Sequence, residues 1–140
     1  MVLHKSKKRL FETIAERNLT SIMNNTKWLE LQDAVVNKLL FPPPYQAKYL
    51  LDDSLYPEEF ERDVWNWGDW KEGIMPFYSV EWIRVRPRYL EHRGMLVAPK
   101  LIDITDDFVN ILKELSIPYR QDNDTYFIYG YISDTSVLTL

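Results

Sequence analysis

Three consecutive prolines, Pro42-Pro43-Pro44, divide this chain more firmly than any other feature it has. Proline lacks an amide hydrogen and its ring clashes with the preceding helical turn, so no helix crosses the triplet and no central strand contains it. The triplet therefore ends whatever helix precedes it. The two sides differ in pattern. Before the prolines, apolar residues recur at helical spacing; after them, they alternate or gather in β-branched and aromatic runs.

Upstream, Phe11, Ile14, Ala15, Leu19, Ile22 and Met23 recur every three or four residues and predict a first helix. Its start, with Lys5, Lys7, Lys8 and Arg9, opposes the helix dipole and predicts a frayed first turn. Asn24-Asn25 interrupts the pattern. A second helix follows, with Thr26 as its N-cap and Trp28, Leu31, Val35 and Leu39 as its apolar stripe, so that helices fill about residues 6–40.

Downstream, Tyr45, Ala47, Tyr49 and Leu51 alternate with Gln46 and Lys48, the signature of a half-buried strand, and Asp52-Asp53-Ser54 turns the chain. Pro57-Glu58-Glu59 suits the first turn of a brief helix, and the tryptophan-rich stretch after it reads as irregular. Residues 77–86, with Val80, Trp82, Ile83 and Val85, make the strongest strand, closed by Pro87. Residues 88–94 read as a polar connection and 95–104 as extended. Thr105 is the expected cap of a third helix, with Asp106 and Asp107 in its first turn and Phe108, Ile111, Leu112 and Leu115 as its stripe. Residues 117–119 and 125–131 suggest a hairpin around Asp122-Asn123-Asp124, with a loose tail from Ser133. The sheet and third helix then occupy about residues 45–132.

No repeat or low-complexity linker appears, so residues 1–140 read as a single α+β domain: a mostly antiparallel sheet packed with about three helices. The order does not repeat β-α-β, which disfavours a doubly wound nucleotide-binding sheet.

Composition narrows the function classes. The absence of cysteine removes disulfides, thiolate nucleophiles and cysteine-ligated zinc, and points to a reducing, cytoplasmic setting. The basic start is followed by no uninterrupted apolar stretch, so it does not read as a secretory signal, and no apolar run approaches membrane-spanning length. A net charge of −4 argues against bulk attraction to nucleic acid or anionic membrane. With two histidines, a metal site would rest on carboxylates. The tightest group, Asp103, Asp106 and Asp107, is explained by a capped helix start, so neither a metal nor a cofactor is expected. No nucleophile-elbow, phosphate-loop, zincin or calcium-loop pattern occurs.

Two segments could carry recognition. In Trp65-Asn66-Trp67-Gly68-Asp69-Trp70, exposed indoles at Trp65, Trp67 and Trp70 would anchor a partner protein, since each ring offers a large area at low entropic cost. The competing explanation is core packing, because large aromatics are mostly buried. In Arg84-Val85-Arg86-Pro87-Arg88, guanidinium groups two residues apart share one side of a strand and could grip an anion at Arg84, Arg86 and Arg88, with Trp82 or Tyr89 for stacking. Here the competing explanation is a solvated face paired with local acids. His92, with Glu91 or Glu81, is the one candidate for acid–base work near neutral pH.

Thr26-Lys27-Trp28, Val80-Glu81-Trp82-Ile83 and the stretch from Ile102-Asp103-Ile104-Thr105 through Ile117-Pro118-Tyr119 to Ile128-Tyr129-Gly130-Tyr131, taken as a set, resemble a family of small uncharacterised bacterial cytosolic proteins, a domain of unknown function. The resemblance covers most of the chain from Thr26 onward and implies no catalytic or binding residues. Small acidic α+β proteins of this type are similar in character to immunity proteins, which neutralise a toxin by binding it. The leading expectation is thus a non-enzymatic protein that binds another protein, and a basic toxin or effector is the expected partner. The alternatives are a module for an anionic ligand or single-stranded nucleic acid, and an enzyme using His92.

Overall fold

In the computed structural model, which describes residues 2–60 and 67–140, helix α1 covers Val2–Glu16. It stops there because Asn18 adopts a left-handed backbone (φ 54°), a conformation asparagine tolerates at a helix end. The amide of Leu19 then donates back to the Ile14 carbonyl at 2.9 Å. Leu19, Ile22 and Met23 therefore leave the helix, contrary to the periodic expectation, and Phe11 is exposed. Strand β1 (Thr20–Ser21) follows, then helix α2 (Asn25–Lys38). Its cap is Asn24, whose side chain accepts from the Lys27 amide at 2.8 Å, and not Thr26.

After the prolines come β2 (Tyr45–Tyr49) and β3 (Leu55–Tyr56). Pro57 opens no helix; residues 57–60 are bend and coil. A single 3-10 turn (Phe77–Ser79) leads into β4 (Val80–Val85). The expected polar connection is in fact a strand, β5 (Arg88–Glu91), paired in a hairpin with β6 (Lys100–Asp103). Helix α3 (Thr105–Glu114) has no side-chain cap at Ile104; the Asp103 carboxylate instead accepts from the Thr105 amide and hydroxyl. Strands β7 (Arg120–Asp122), β8 (Thr125–Tyr129) and β9 (Tyr131–Ile132) follow, and then a second 3-10 turn (Thr135–Val137). The expected loose tail is pinned: Tyr119 and Thr139 exchange both backbone hydrogen bonds, at 2.9 and 2.7 Å.

The main sheet runs β3-β2-β4-β8-β7, antiparallel throughout. One face buries the core: Trp28, Leu31 and Val35 of α2 and Phe108, Ile111 and Leu112 of α3 pack on Val80, Ile83, Val85, Tyr126 and Ile128. Non-local pairing of this kind is what the strand propensities and the antiparallel hairpins require. Among the described residues no helix is long and apolar enough to cross a membrane.

The register of β2 on β4 shifts once, since Tyr49 faces Val80 while Lys48 faces Trp82. The extra residue on β4 is Glu81. Its carboxylate accepts from both terminal nitrogens of the Arg17 guanidinium, at 2.9 and 2.8 Å, and from Lys48 Nζ at 3.0 Å, so it ties the end of α1 to the sheet. Burial pushes the Glu81 pKa up, but the hydrogen bonds and charges of Arg17 and Lys48 together outweigh it and hold the carboxyl below its ordinary 4.5. A depressed folded-state pKa contributes stability that is complete above about 4.5 and is lost as pH falls through the folded value. Glu81→Gln should cost about 2 kcal/mol at neutral pH, less than a fully buried pair because Arg17 is nearly half exposed. Urea melts from pH 7 to 3 check this: the wild type should lose its advantage over Glu81→Gln below pH ~4.5. An advantage that stayed constant down to pH 3 would contradict the assignment.

Candidate aromatic cleft

The three proline carbonyls organise the region that holds the tryptophans. Pro42 O accepts from the Gly68 amide (3.1 Å), Pro43 O from the Trp70 indole (2.7 Å) and Pro44 O from the Arg86 amide (3.1 Å). A segment without donors is thereby satisfied as an acceptor, as buried backbone must be. These bonds lay residues 67–75 across the start of β2. Gly68 is required for the approach: a Cβ there would stand 2.4 Å from Pro43 O and 2.8 Å from the Tyr45 ring.

Between this loop and the β2–β3 edge lies a cleft of about 520 Å³, within the ~300–1,000 Å³ typical of ligand sites. Tyr45 and Tyr49 form its walls, Ala47 its floor, and Tyr56, Trp67 and Met75 its rim. The space exists because Ala47, the partner of Tyr56 in the β2–β3 pairing, is small between two tyrosines. Tyr45 donates to Asp69 O at 2.7 Å, and Tyr49 donates to Gly73 O at 3.3 Å while accepting from the Met75 amide at 3.4 Å. Burial, and then the nearby Asp69 carboxylate, push the Tyr45 phenol well above its ordinary value. Tyr56 donates to the Asp52 carboxylate, which also accepts from the Ser54 amide. Those two bonds, the Tyr56 one first, hold the Asp52 carboxyl below its usual value. The cleft thus presents neutral ring faces beside the two carboxylates of Asp52 and Asp69. Ring faces and carboxylates together favour a cation. The Tyr45 and Tyr49 hydroxyls on its walls are engaged with backbone.

The structure separates the tryptophan run. Trp65 lies outside the described residues. Trp67 is 56% exposed, stacked on Phe41 (6.3 Å, 24°) and edge-on to Tyr89 (6.0 Å). Trp70 corrects the expectation of an interface anchor: it is 2% exposed and meets Tyr45 and Phe108 edge-on, so it backs the cleft wall from the core.

The arginine row separates too. Arg86 is 3% exposed; its Nε donates to Asp124 (3.0 Å), one terminal nitrogen donates to Phe60 O (2.9 Å), and its guanidinium lies over the Phe60 ring. Arg88 shares the Asp124 carboxylate at 2.6 Å. Both guanidiniums thus engage the Asp124 carboxylate, and the residues at 86 and 87 fall between β4 and β5, so the three arginines do not form one continuous strand row. Arg84 faces the other side of the sheet from the helices, with Nε donating to Thr125 Oγ1 at 3.0 Å. Its cross-strand row continues to Phe127 and then Arg120, and both guanidiniums lie over the Phe127 ring, at 5.5 and 4.3 Å. Arg120 Nε donates to Tyr129, and Trp82 meets Phe127 edge-on at 5.1 Å. Among the described residues neither Arg84 nor Arg120 has a carboxylate within salt-bridge distance.

His92 sits exposed in the β5–β6 connection, Glu91 accepts from Tyr89 at 3.4 Å, and Glu81 is held by Arg17 and Lys48. Among the described residues no group of three or more histidines and acids is placed to hold a metal ion. Sequence reasoning gave none of Tyr45, Tyr49, Asp52, Tyr56, Asp69 and Met75 as site residues, nor Arg120. The one signal for the cleft was the small Ala47 between Tyr45 and Tyr49.

Fold and cleft together define a single α+β domain with a five-stranded antiparallel sheet and an aromatic-walled edge cleft. Residues 10–135 match a family described as one of unknown function, DUF6678, and the chain belongs to that family. No curated protein and no solved structure matches it.

Proposed function

We propose that this is a non-enzymatic binding protein that engages another protein through the aromatic cleft, with a lysine or arginine of the partner seated between Tyr45, Tyr49 and Trp67. The observation that carries this reading is Trp67: a large ring left more than half exposed on the rim of a cleft that also holds Asp52 and Asp69. Exposed indoles are costly to leave in water and are favoured interface anchors. A cation entering between rings and carboxylates gains from both. An immunity-like role against a basic effector, and a cytoplasmic setting, accord with the acidic chain and its lack of cysteine.

The test is comparative capture from the native host, with wild type, Trp67→Ala and the cleft-filling Ala47→Met as baits. Proteins retained by the wild type should fall at least tenfold on both variants, while Trp67→Ala melts within a few degrees of the wild type. An identical retained set on all three baits would overturn the reading.

A second reading is favoured by the Arg84–Arg120 pair, two cations over one ring with no carboxylate partner among the described residues. Both Nε atoms are anchored, which leaves the terminal nitrogens to grip an anion such as a phosphate of single-stranded nucleic acid, with Trp82 beside them for stacking. A labelled single-stranded oligonucleotide should bind more weakly as salt rises from about 50 to about 200 mM, and Arg120→Ala should lessen that dependence. Absence of binding at the lower salt removes this reading.

A further inference from the structure

The hairpin of β5 and β6 stands apart from the main sheet as its own two-stranded unit. Its connection, residues 92–99, carries Met95 and Leu96 at 99% exposure and an exposed Val97, and Leu101 of β6 is exposed as well. Arg93 donates to the Ala98 carbonyl from two nitrogens, at 3.1 and 3.4 Å, and so holds the loop in shape. Two adjacent apolar side chains wholly in water, with Val97 beside them, make a contiguous apolar tip on the hairpin.

The same chain contains a receptor of matching chemistry. The cleft is walled by aromatic rings, which suit a thioether and an aliphatic side chain, and Asp52 and Asp69 line it with Asp53 and Glu58 nearby. The tip is flanked by Arg93 and Lys100, cations opposite those acids. Tip and receptor also share one edge of the molecule, since Tyr89 at the hairpin base packs on Trp67 at the cleft rim. Two elements on one edge can be exchanged by a single two-fold axis, each hairpin reaching the other copy's cleft. From Arg88 to Met95 the hairpin can extend at most about 23 Å at ~3.3 Å per residue, long enough to cross to a neighbouring copy.

We infer that the protein self-associates as a two-fold dimer in which the Met95-Leu96 tip of each copy occupies the aromatic cleft of the other. This rests on the cleft being a recognition site, and it makes the second copy the occupant in the absence of a foreign partner. Dimerisation then withholds the cleft, and capture of a partner requires the hairpin to withdraw.

Light scattering on size-exclusion eluates, across micromolar to millimolar loads, tests this with the full chain. Wild type should approach twice the chain mass of 16.8 kDa as concentration rises. Leu96→Asp and Trp67→Ala should each weaken the dimer at least tenfold, and an equimolar mixture of the two should recover dimer, because one intact tip meets one intact cleft. Leu96→Asp lies in solvent, so unchanged circular dichroism and melting will show that it folds. A wild type that stays monomeric at every load overturns the inference, as does a dimer indifferent to both variants. So does a monomer that sediments with anionic phosphatidylglycerol vesicles through Leu96, which would make the tip a membrane contact. If partner capture is lost in Trp67→Ala while the wild type is monomeric, the cleft reading stands and the exchange alone falls.

Discussion

Trp70→Ala is expected to remove about 4–5 kcal/mol of stability and to lower the melting temperature by roughly 15 °C. The indole is nearly inaccessible and packs edge-on against Tyr45 at 5.3 Å and Phe108 at 6.4 Å, so its loss opens a cavity where the sheet, α3 and the cleft wall meet. Deleting a buried aromatic costs about 3–5 kcal/mol. The Pro43 carbonyl would also lose the indole that donates to it at 2.7 Å, and an unpaired buried acceptor adds about 1 kcal/mol or more. Since domains of this size are stable by only about 5–15 kcal/mol, the variant should populate unfolded chain near physiological temperature. Trp70→Phe separates the two contributions, keeping most of the volume and losing only the hydrogen bond. Trp67→Ala, three residues earlier, should shift the melt by only a few degrees. Thermal melts of the three proteins check the assignment, and near-equal destabilisation by Trp67→Ala and Trp70→Ala would contradict it.

Gly130→Ala should cost about 3 kcal/mol. A Cβ at this position would lie 2.1 Å from the Val80 carbonyl oxygen and 3.3 Å from its carbon, and backbone cannot swing aside as the end of a long side chain can. The cost is one of space: Gly130 sits where the chain leaves β8, donating to Glu81 O at 2.8 Å and accepting from the Ile22 amide at 2.9 Å. Any shift that relieves the clash pulls on both bonds, and so on the register shift at Glu81 and the strand that follows α1. Hydrogen exchange should accelerate at the Ile22 and Gly130 amides before it does in α2. A melt within one or two degrees of the wild type would mean that the close approach is absent.

The helices after Asn24 were legible because their stripes are local: Trp28, Leu31 and Val35 share a face at any helix of that pitch. Strands β2 and β4 were legible for the same reason, through alternation and β-branched content. The errors came where a long-range partner overrode local pattern. Ile22 and Met23 continue the periodicity of α1, yet their amides are claimed by Gly130, more than a hundred residues away. Arg88-Tyr89-Leu90-Glu91 looks polar and featureless, but pairing with Lys100–Asp103 makes it a strand. The candidate site was half legible. A tryptophan run announces an aromatic site without saying which rings face water, because in an irregular segment the exposure of each indole is set by distant contacts such as Pro43 and Phe108 around Trp70.

From its sequence alone, this chain is determined to break after the second helix, to lack thiol chemistry, and to build an α+β domain, because prolines, absent cysteines and apolar periodicity act on neighbouring residues whatever the rest of the fold does. Only the tertiary structure decided that Trp70 is core while Trp67 is rim, that Arg86 and Arg88 are spent on Asp124 while Arg84 joins Arg120, and that an apolar hairpin tip stands in solvent. The physical reason is that exposure and ion pairing belong to pairs of residues far apart in the chain. The three proline carbonyls show it most directly, since their inability to donate is written locally, whereas the Gly68, Trp70 and Arg86 groups that satisfy them are assigned by the fold.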